Sequence, residues 1–341
     1  MSSKKRFSRE AIFVLFLAYT LCSCQDDKLQ YFQETGSRFH TIYHITYQSD
    51  RLLTSAIDST MTAFNASLNP FDSNSLIARI NRNETVILDS LLTDVLQKAM
   101  EVSKQTDGVY DITGAPYFDI WGFGTQKGAT REATKDELDS IAQFVGYQKI
   151  RIASDTLIKS DSRITINPSS LSKGYVVDLV AQTLEDNGVD NYLVEIGGEI
   201  VAKGVNPKGE CWNVGINQPL ESLSEEAIKE IAYSLPLCNK EGMATSGDYR
   251  NYKVINGKKV AHTIDVHTGL PAHQDILSAT VVAPTCMEAD AWATAFMALG
   301  MKRSLALLDA LPQLKVCFIY THPETGVLYS YIKGINLTPI D

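Results

Sequence analysis

The stretch INPSSLSKGYVVDLVAQTLEDNGVDNYLVEIGGEIVAKG, Ile166 to Gly204, changes its apolar period from helix to strand within one segment. Leu171, Tyr175 and Leu179, with Val176, Val180 and Leu184, recur at helical spacing, and Gly188 supplies a residue that ends such a run. Pro168, tolerated at the first helical position, sets the expected start. Tyr192 to Ile196 then reads as a strand, Gly197-Gly198 as a hairpin turn, and the residues from Glu199 as the returning strand. Upstream, Thr41 to Tyr47 alternates as a strand, while Arg51 to Ala66 and Leu91 to Thr106 carry helical apolar spacing. Downstream, Trp212 to Ile216, Ala232 to Leu237, Tyr252 to Ile255 and Ala279 to Val282 read as strands. Hairpin-like turns outnumber long helical crossovers. The expected fold class is therefore α+β, with mixed or largely antiparallel sheets and packed helices in a single large two-lobed domain.

Lys173 falls in or near the first turn of that helix, where a cation opposes the helix dipole, so an anionic group or a fixed hydrogen-bond partner is expected beside it unless the lysine is merely exposed. A second segment, AHTIDVHTGLP at Ala261 to Pro271, joins His262 and Asp265 to a tight turn. About 20 residues on, Thr285 and Glu288 fit a capping box, so a helix starting there carries Asp290 and Thr294 on one face. Two hard oxygen ligands with few carboxylates suit Mg²⁺ on a phosphate better than a protein-caged Zn²⁺. The bland alternative is that Asp290 favours the positive helix end and Thr294 simply packs. Asp107 to Gly124, DGVYDITGAPYFDIWGFG, mixes Gly108, Gly114, Gly122 and Gly124 with aromatics. It reads as a ligand-shaped loop rather than a regular element, or as a glycine-rich turn whose aromatics are core. SLNPFDSNSLIARIN, Ser67 to Asn81, reads as an ordered surface loop ahead of a short helical stretch.

Lys4, Lys5, Arg6 and Arg9 precede the apolar run Ala11 to Leu21, which is shorter than the roughly 20 residues a membrane-spanning helix needs. With Leu21-Cys22-Ser23-Cys24 behind it, residues 1–23 read as a lipoprotein signal peptide, Cys24 as the lipidated first residue and 24–32 as a tether; a plain secretory signal cut near Ser23 is the alternative. The remaining domain is expected over residues 33–338. A net charge of −9 with no clustered basic face excludes a nucleic-acid partner. With 44% hydrophobic and 21% charged residues, the 341-residue chain has the composition of a globular enzyme. Cys211, Cys238, Cys286 and Cys317 show no metal-ligand spacing, and a disulfide among them cannot be paired from spacing alone.

Taken in order, these segments resemble the ApbE family of FAD:protein FMN transferases. SLIARIN at Ser75 to Asn81 is similar to the family's S-E-L-S-R-x-N, with Phe71 at its aromatic position; Thr106 to Gly124 is similar to TGGxFDPTxGPLxxLWGFG. SSLSKGYVVD at Ser169 to Asp178 resembles G-x-I-A-K-G-x-x-x-D, IGGEI matches the family's GG-D/N/E turn with Glu199 at its third position, and TSGDYRNY, HTIDVHTGLP and EADAWATAFMALG complete the series. Phe39-His40-Thr41 stands in place of the family's Met-Gly-Thr, Asn167 in place of an Asp, and Val266 in place of a Pro.

The resemblance implies an ApbE-like fold and a Mg²⁺-dependent cleavage of FAD that releases AMP and joins FMN, through a phosphodiester, to a Thr or Ser of an exported acceptor protein. It implies Mg²⁺ held by Asp290, Thr294 and the backbone carbonyl of Ser170. FAD would be bound by Phe39, Phe71, Gly108, Val109, Tyr110, Asp111, Asn167, Lys173, Gly197, Gly198 and Ile264. His262 is the expected proton acceptor and Asp265 either holds the turn or orients it. A lipid anchor would place the enzyme on a bacterial membrane, the periplasmic side being expected. Two other readings use the same residues. An FAD pyrophosphatase or flavin-binding lipoprotein keeps the site without protein transfer. Ser170-x-x-Lys173, Ser246-Gly247-Asp248 and His267-Thr268-Gly269 also mimic, in order, the motifs of penicillin-binding serine enzymes, with Ser170 as nucleophile and Lys173 as its base.

Overall fold

The computed structural model describes residues 29–123, 131–217, 231–247, 252–255, 258–261, 263–272, 275–322 and 327–340. His262 and Cys24 lie outside the described residues, as do residues 1–28 as a whole. The chain opens with a hairpin, β1 (Gln30–Arg38) and β2 (Thr41–Ser49), then runs through α1 (Thr54–Leu68), α2 (Leu76–Asn81), α3 (Ser90–Gln105), α4 (Ala115–Ile120) and α5 (Lys135–Ala142). A small hairpin, β3 (Ile150–Ala153) and β4 (Thr156–Lys159), precedes α6 (Ser172–Asp186). Then come β5 (Tyr192–Ile196), β6 (Glu199–Lys203), β7 (Trp212–Asn217), β8 (Ile231–Leu237), β9 (Asn239–Gly247), β10 (Tyr252–Ile255) and β11 (Lys258–Ala261). The short pair β12 (Ile264–Asp265) and β13 (Leu270–Pro271) leads to β14 (Ile276–Ala283), α7 (Cys286–Leu308), β15 (Lys315–Thr321), β16 (Leu328–Lys333) and β17 (Thr338–Pro339).

Eight strands form the central sheet in the order β1-β2-β5-β6-β9-β14-β15-β16, with every neighbouring pair antiparallel. Strand period dictates what lies on either side of it. Val281, Val316 and Phe318 face a core shared with α1, α3, α6 and α7, while Val282, Cys317 and Ile319 face a second core under β7, β8 and β17. The molecule is therefore layered as helices, sheet, smaller sheet, and the α+β expectation holds with antiparallel sheets. A third, smaller cluster gathers Tyr117, Trp121, Val145, Ile255, Ile264 and Val266 around α4 and the β12–β13 turn.

Three expectations are corrected. β1 begins at Gln30, so residues 30–32 belong to a strand rather than to the tether. Helix α6 begins at Ser172, not at Pro168. The Asn167 side chain accepts from the Ser169 N–H at 3.1 Å and its hydroxyl at 2.6 Å, and that local bonding holds residues 167–170 in a turn that competes with helix. Within Asp107 to Gly124 a short helix, α4, does form: Pro116 suits its first turn, and Gly122, at φ 78°, ends it.

Helix α7 enters the core through two close approaches. A Cβ at Gly174 of α6 would fall on the Cys286 carbonyl, and one at Gly242 of β9 on the Cys286 amide, so only glycine lets the helix start between them. Asp178 of α6 accepts from the Cys286 and Met287 N–H groups, each at 2.8 Å, and Thr285 accepts from Glu288 N–H at 3.2 Å. Only that half of the predicted capping box is present, because the Glu288 carboxylate accepts instead from Gln313 at 3.1 Å.

Candidate active site

The start of α6, the middle of α7, the segment Val109 to Ile112, α4 and the β12 strand surround a cavity of about 430 Å³. Its walls are stitched from distant parts of the chain. Val266 N–H donates to the Val109 carbonyl at 3.2 Å, Asn167 N–H to the Ile112 carbonyl at 2.8 Å, and the Trp121 indole to the Gly269 carbonyl at 2.8 Å. Gly269, at φ 69°, packs its bare Cα against Tyr117, where a Cβ would collide with the ring. Asn81 at the end of α2 mimics a backbone strand: it donates to the Ile166 carbonyl at 2.9 Å and accepts from the Ile166 N–H at 2.7 Å, propping the turn ahead of α6.

Of the residues predicted from sequence, Phe71, Val109, Tyr110, Asp111, Asn167, Ser170, Lys173, Ile264, Asp290 and Thr294 line the cavity together. At its polar end Thr294 Oγ1 donates to the Ser170 carbonyl at 3.5 Å and meets Ser246 Oγ at 3.2 Å. The buried Asp290 accepts from Gly174 N–H at 3.0 Å, and the Ser170 hydroxyl donates to Tyr110 at 2.9 Å. Lys173 carries 42% of its side chain accessible and is ion-paired with buried Glu199 of β6, the anionic partner its place in the helix called for. Burial lowers the Lys173 pKa, but the charges of Asp290 and Glu199 outweigh it and hold the ammonium above its ordinary range. Burial likewise pushes Asp290 up, opposed by Lys173 and the Gly174 N–H. The other end is apolar and aromatic, with Phe118 and Phe123 in the wall and Phe71, 61% exposed, at the mouth beside His40, ring centroids 6.0 Å apart.

Several predicted residues sit elsewhere. Phe39 packs edge-on against Phe64 at 5.0 Å and does not line the cavity. Gly197 and Gly198, at φ 66° and 94°, make the β5–β6 turn, and Gly108, at φ 78°, turns the chain beside Tyr147; none of the three is in the wall. Asp265 holds the β12–β13 turn, accepting from His267 N–H at 2.9 Å, with Arg303 at 3.7 Å, and also stands outside the wall. Asp111 lines the cavity but spends its carboxylate on Thr113, by N–H and hydroxyl both at 2.8 Å, and on the Tyr147 N–H. Sequence reasoning did not single out Glu199, Asn81, Thr263, Phe118 or Phe123. Glu199 meets Lys173 across 26 residues through sheet registry, a signal no local pattern carries.

The serine-enzyme reading fails on this geometry. Lys173 is held as an ammonium by two carboxylates and cannot deprotonate Ser170, whose hydroxyl is turned to Tyr110. The donor set fits Mg²⁺: one carboxylate, one hydroxyl and one carbonyl are hard oxygens. No cluster of three or more His, Cys, Asp or Glu suited to a metal occurs among the described residues, so such an ion would depend on this mixed set and on substrate oxygens.

Comparisons with known proteins agree with this architecture. Residues 39–318 match the ApbE family. The chain is 34% identical over 313 residues to a protein of Haemophilus influenzae named FAD:protein FMN transferase, covering 87% of this chain and 89% of that one. It is 32% identical over 285 residues to the protein of that name from Vibrio cholerae, covering 81% and 84%. The solved structure titled flavin transferase ApbE from Vibrio cholerae superposes with a TM-score of 0.79 at 28% identity, covering 90% of this chain and 98% of that one. The apo form of a Pseudomonas stutzeri flavinyl transferase ApbE gives 0.77 at 26%, covering 90% and 95%.

Proposed function

The chain belongs to the ApbE family and is an FAD:protein flavin transferase, and from that premise we propose a Mg²⁺-dependent reaction in which a Thr or Ser hydroxyl of an exported acceptor attacks the FMN phosphorus of FAD. The new oxygen–phosphorus bond joins FMN to the acceptor, the pyrophosphate bond breaks, and its electrons leave with AMP. The observation that carries this reading is the polarity of one cavity: aromatic rings at one end, and Asp290, Thr294 and the Ser170 carbonyl converging at the other. Asp290, Thr294 and the Ser170 carbonyl would hold Mg²⁺, which would supply Lewis-acid charge neutralisation at the pyrophosphate. Lys173 adds a fixed positive charge in the same wall, suited to a phosphate. Tyr110, whose pKa burial raises beyond its ordinary range, stays neutral and fixes Ser170. The acceptor proton goes to His262, one residue before Thr263 in the wall.

Cys24 is the proposed lipid attachment point, anchoring the enzyme to a bacterial membrane on its periplasmic side. The Cys211–Cys238 disulfide, with Cα atoms 5.2 Å apart, supports an oxidising compartment. Among the described residues no helix is long and apolar enough to cross a membrane. The test is incubation of the purified protein with FAD, Mg²⁺ and a candidate acceptor, followed by peptide mass spectrometry and chromatography of nucleotides. An FMN-bearing Thr or Ser peptide with matching AMP supports the proposal. AMP and free FMN with an unmodified acceptor would replace it with FAD pyrophosphatase activity.

A further inference from the structure

The Lys173 ammonium at the polar end of the cavity is attracted by two carboxylates, Asp290 in the wall and Glu199 outside it, and they do not share it evenly. Asp290 and Glu199 are both buried, and both attract the Lys173 ammonium. The hydrogen bond and the ion pair nevertheless go to Glu199, and among the described residues no ion pair joins Lys173 to Asp290. Glu199 Oε2 is the one buried side-chain polar atom among those residues without a partner. A half-satisfied buried carboxylate is a costly way to brace a hairpin, and a neutral side chain of the same shape would brace it at lower cost. What a neutral side chain could not do is compete for the ammonium.

We propose that Glu199 is a positioning residue for the cation site: by holding Lys173 it keeps the ammonium off Asp290 and leaves that carboxylate open to a divalent ion. Without the Glu199 charge, Lys173 would be drawn onto Asp290, and an ammonium paired there would occupy the position a metal needs. The proposal rests on reading Asp290, Thr294 and the Ser170 carbonyl as the cation site.

Binding of Mn²⁺ to the full chain, followed by electron paramagnetic resonance in the absence of FAD, tests both layers separately. Glu199→Gln should weaken Mn²⁺ binding about 10- to 100-fold, the usual scale for a residue that acts behind a metal ligand, with its thermal midpoint close to wild type. Adding Lys173→Met to that variant should restore the affinity, because the competing ammonium is gone. Undiminished affinity in Glu199→Gln, or a double variant as weak as the single, overturns the proposal. If Glu199→Gln does not fold, Lys173→Met alone decides: it should bind Mn²⁺ at least as tightly as wild type, and weaker binding overturns the idea. Asp290→Ala distinguishes the premise. Equal Mn²⁺ binding by wild type and Asp290→Ala sinks the cation site itself, whereas loss in Asp290→Ala beside retention in Glu199→Gln leaves the site standing and removes only the role of Glu199.

Discussion

Asp290 carries a carboxylate into a place where water has little access, with the Gly174 N–H and the nearby Lys173 charge to offset it. Burial of that kind is tolerated when a cation completes the site. Asp290→Ala should therefore abolish Mg²⁺-dependent release of AMP from FAD while the circular dichroism spectrum stays native; turnover at the wild-type rate would remove Asp290 from the site. The proton acceptor allows an equally direct test. If His262 takes the acceptor proton, His262→Ala retains FAD binding, measured by flavin fluorescence, and loses transfer by roughly 10²- to 10⁴-fold. Loss of FAD binding to the same extent would make it a binding residue instead.

At the scale of elements, α7 is positioned by what flanks its first turn. Gly174 and Gly242 leave it space, and Asp178 caps two of its N–H groups. Gly174→Ala forces a methyl against the Cys286 carbonyl and should lower stability by about 1–3 kcal/mol in a denaturant titration; an unchanged midpoint would mean that α6 and α7 are not so tightly apposed. Asp178 contributes a pH dependence of its own. Burial pushes its pKa up to about 6 from 3.8, although the Met287 and Cys286 N–H groups work the other way. A raised folded-state pKa means the fold favours the protonated form. Its contribution is thus full below about pH 4 and is lost as pH rises through about 6. Relative to Asp178→Asn, wild type should lose stability across that window, and a flat difference would contradict the shift.

For the whole molecule, the smaller sheet is held to the rest by the core beneath it, and one covalent link closes it on itself. Cys211 immediately precedes β7 and Cys238 follows β8, so the disulfide closes the strand pair at the ends opposite Asn217 and Ile231. Replacing both cysteines by Ser should cost about 2–4 kcal/mol, read as a lower thermal midpoint that reducing agent reproduces in wild type. Insensitivity to reductant would argue that the pair is not closed in solution. In cells, metabolic labelling with a radioactive fatty acid should mark the protein through Cys24 and disappear in Cys24→Ala.

Much of the architecture is local information, and local information is legible. The 3.6 and 2.0 periods placed α1, α3, α6 and the β5–β6 hairpin, Thr285 marked the start of α7, and the spacing of Asp290 and Thr294 put both on one helix. Legibility ended where two segments compete for the same groups or meet across the fold. Asn167 outbid the helix for the Ser169 N–H, so α6 starts later than Pro168 suggests. Asp111 reads as a binding residue, yet its carboxylate accepts from Thr113 and from the Tyr147 N–H, while Asp265, expected to hold the turn or orient His262, accepts from the His267 N–H within that turn. Glu199 became visible only when the β5–β6 registry and the start of α6 brought it to Lys173. The sequence alone determined which elements form and which residue types the chemistry requires, because backbone propensity and apolar period act over a few residues. Only the tertiary structure decided which charges face each other, because electrostatic partners are chosen by distance in space, and burial makes each choice consequential.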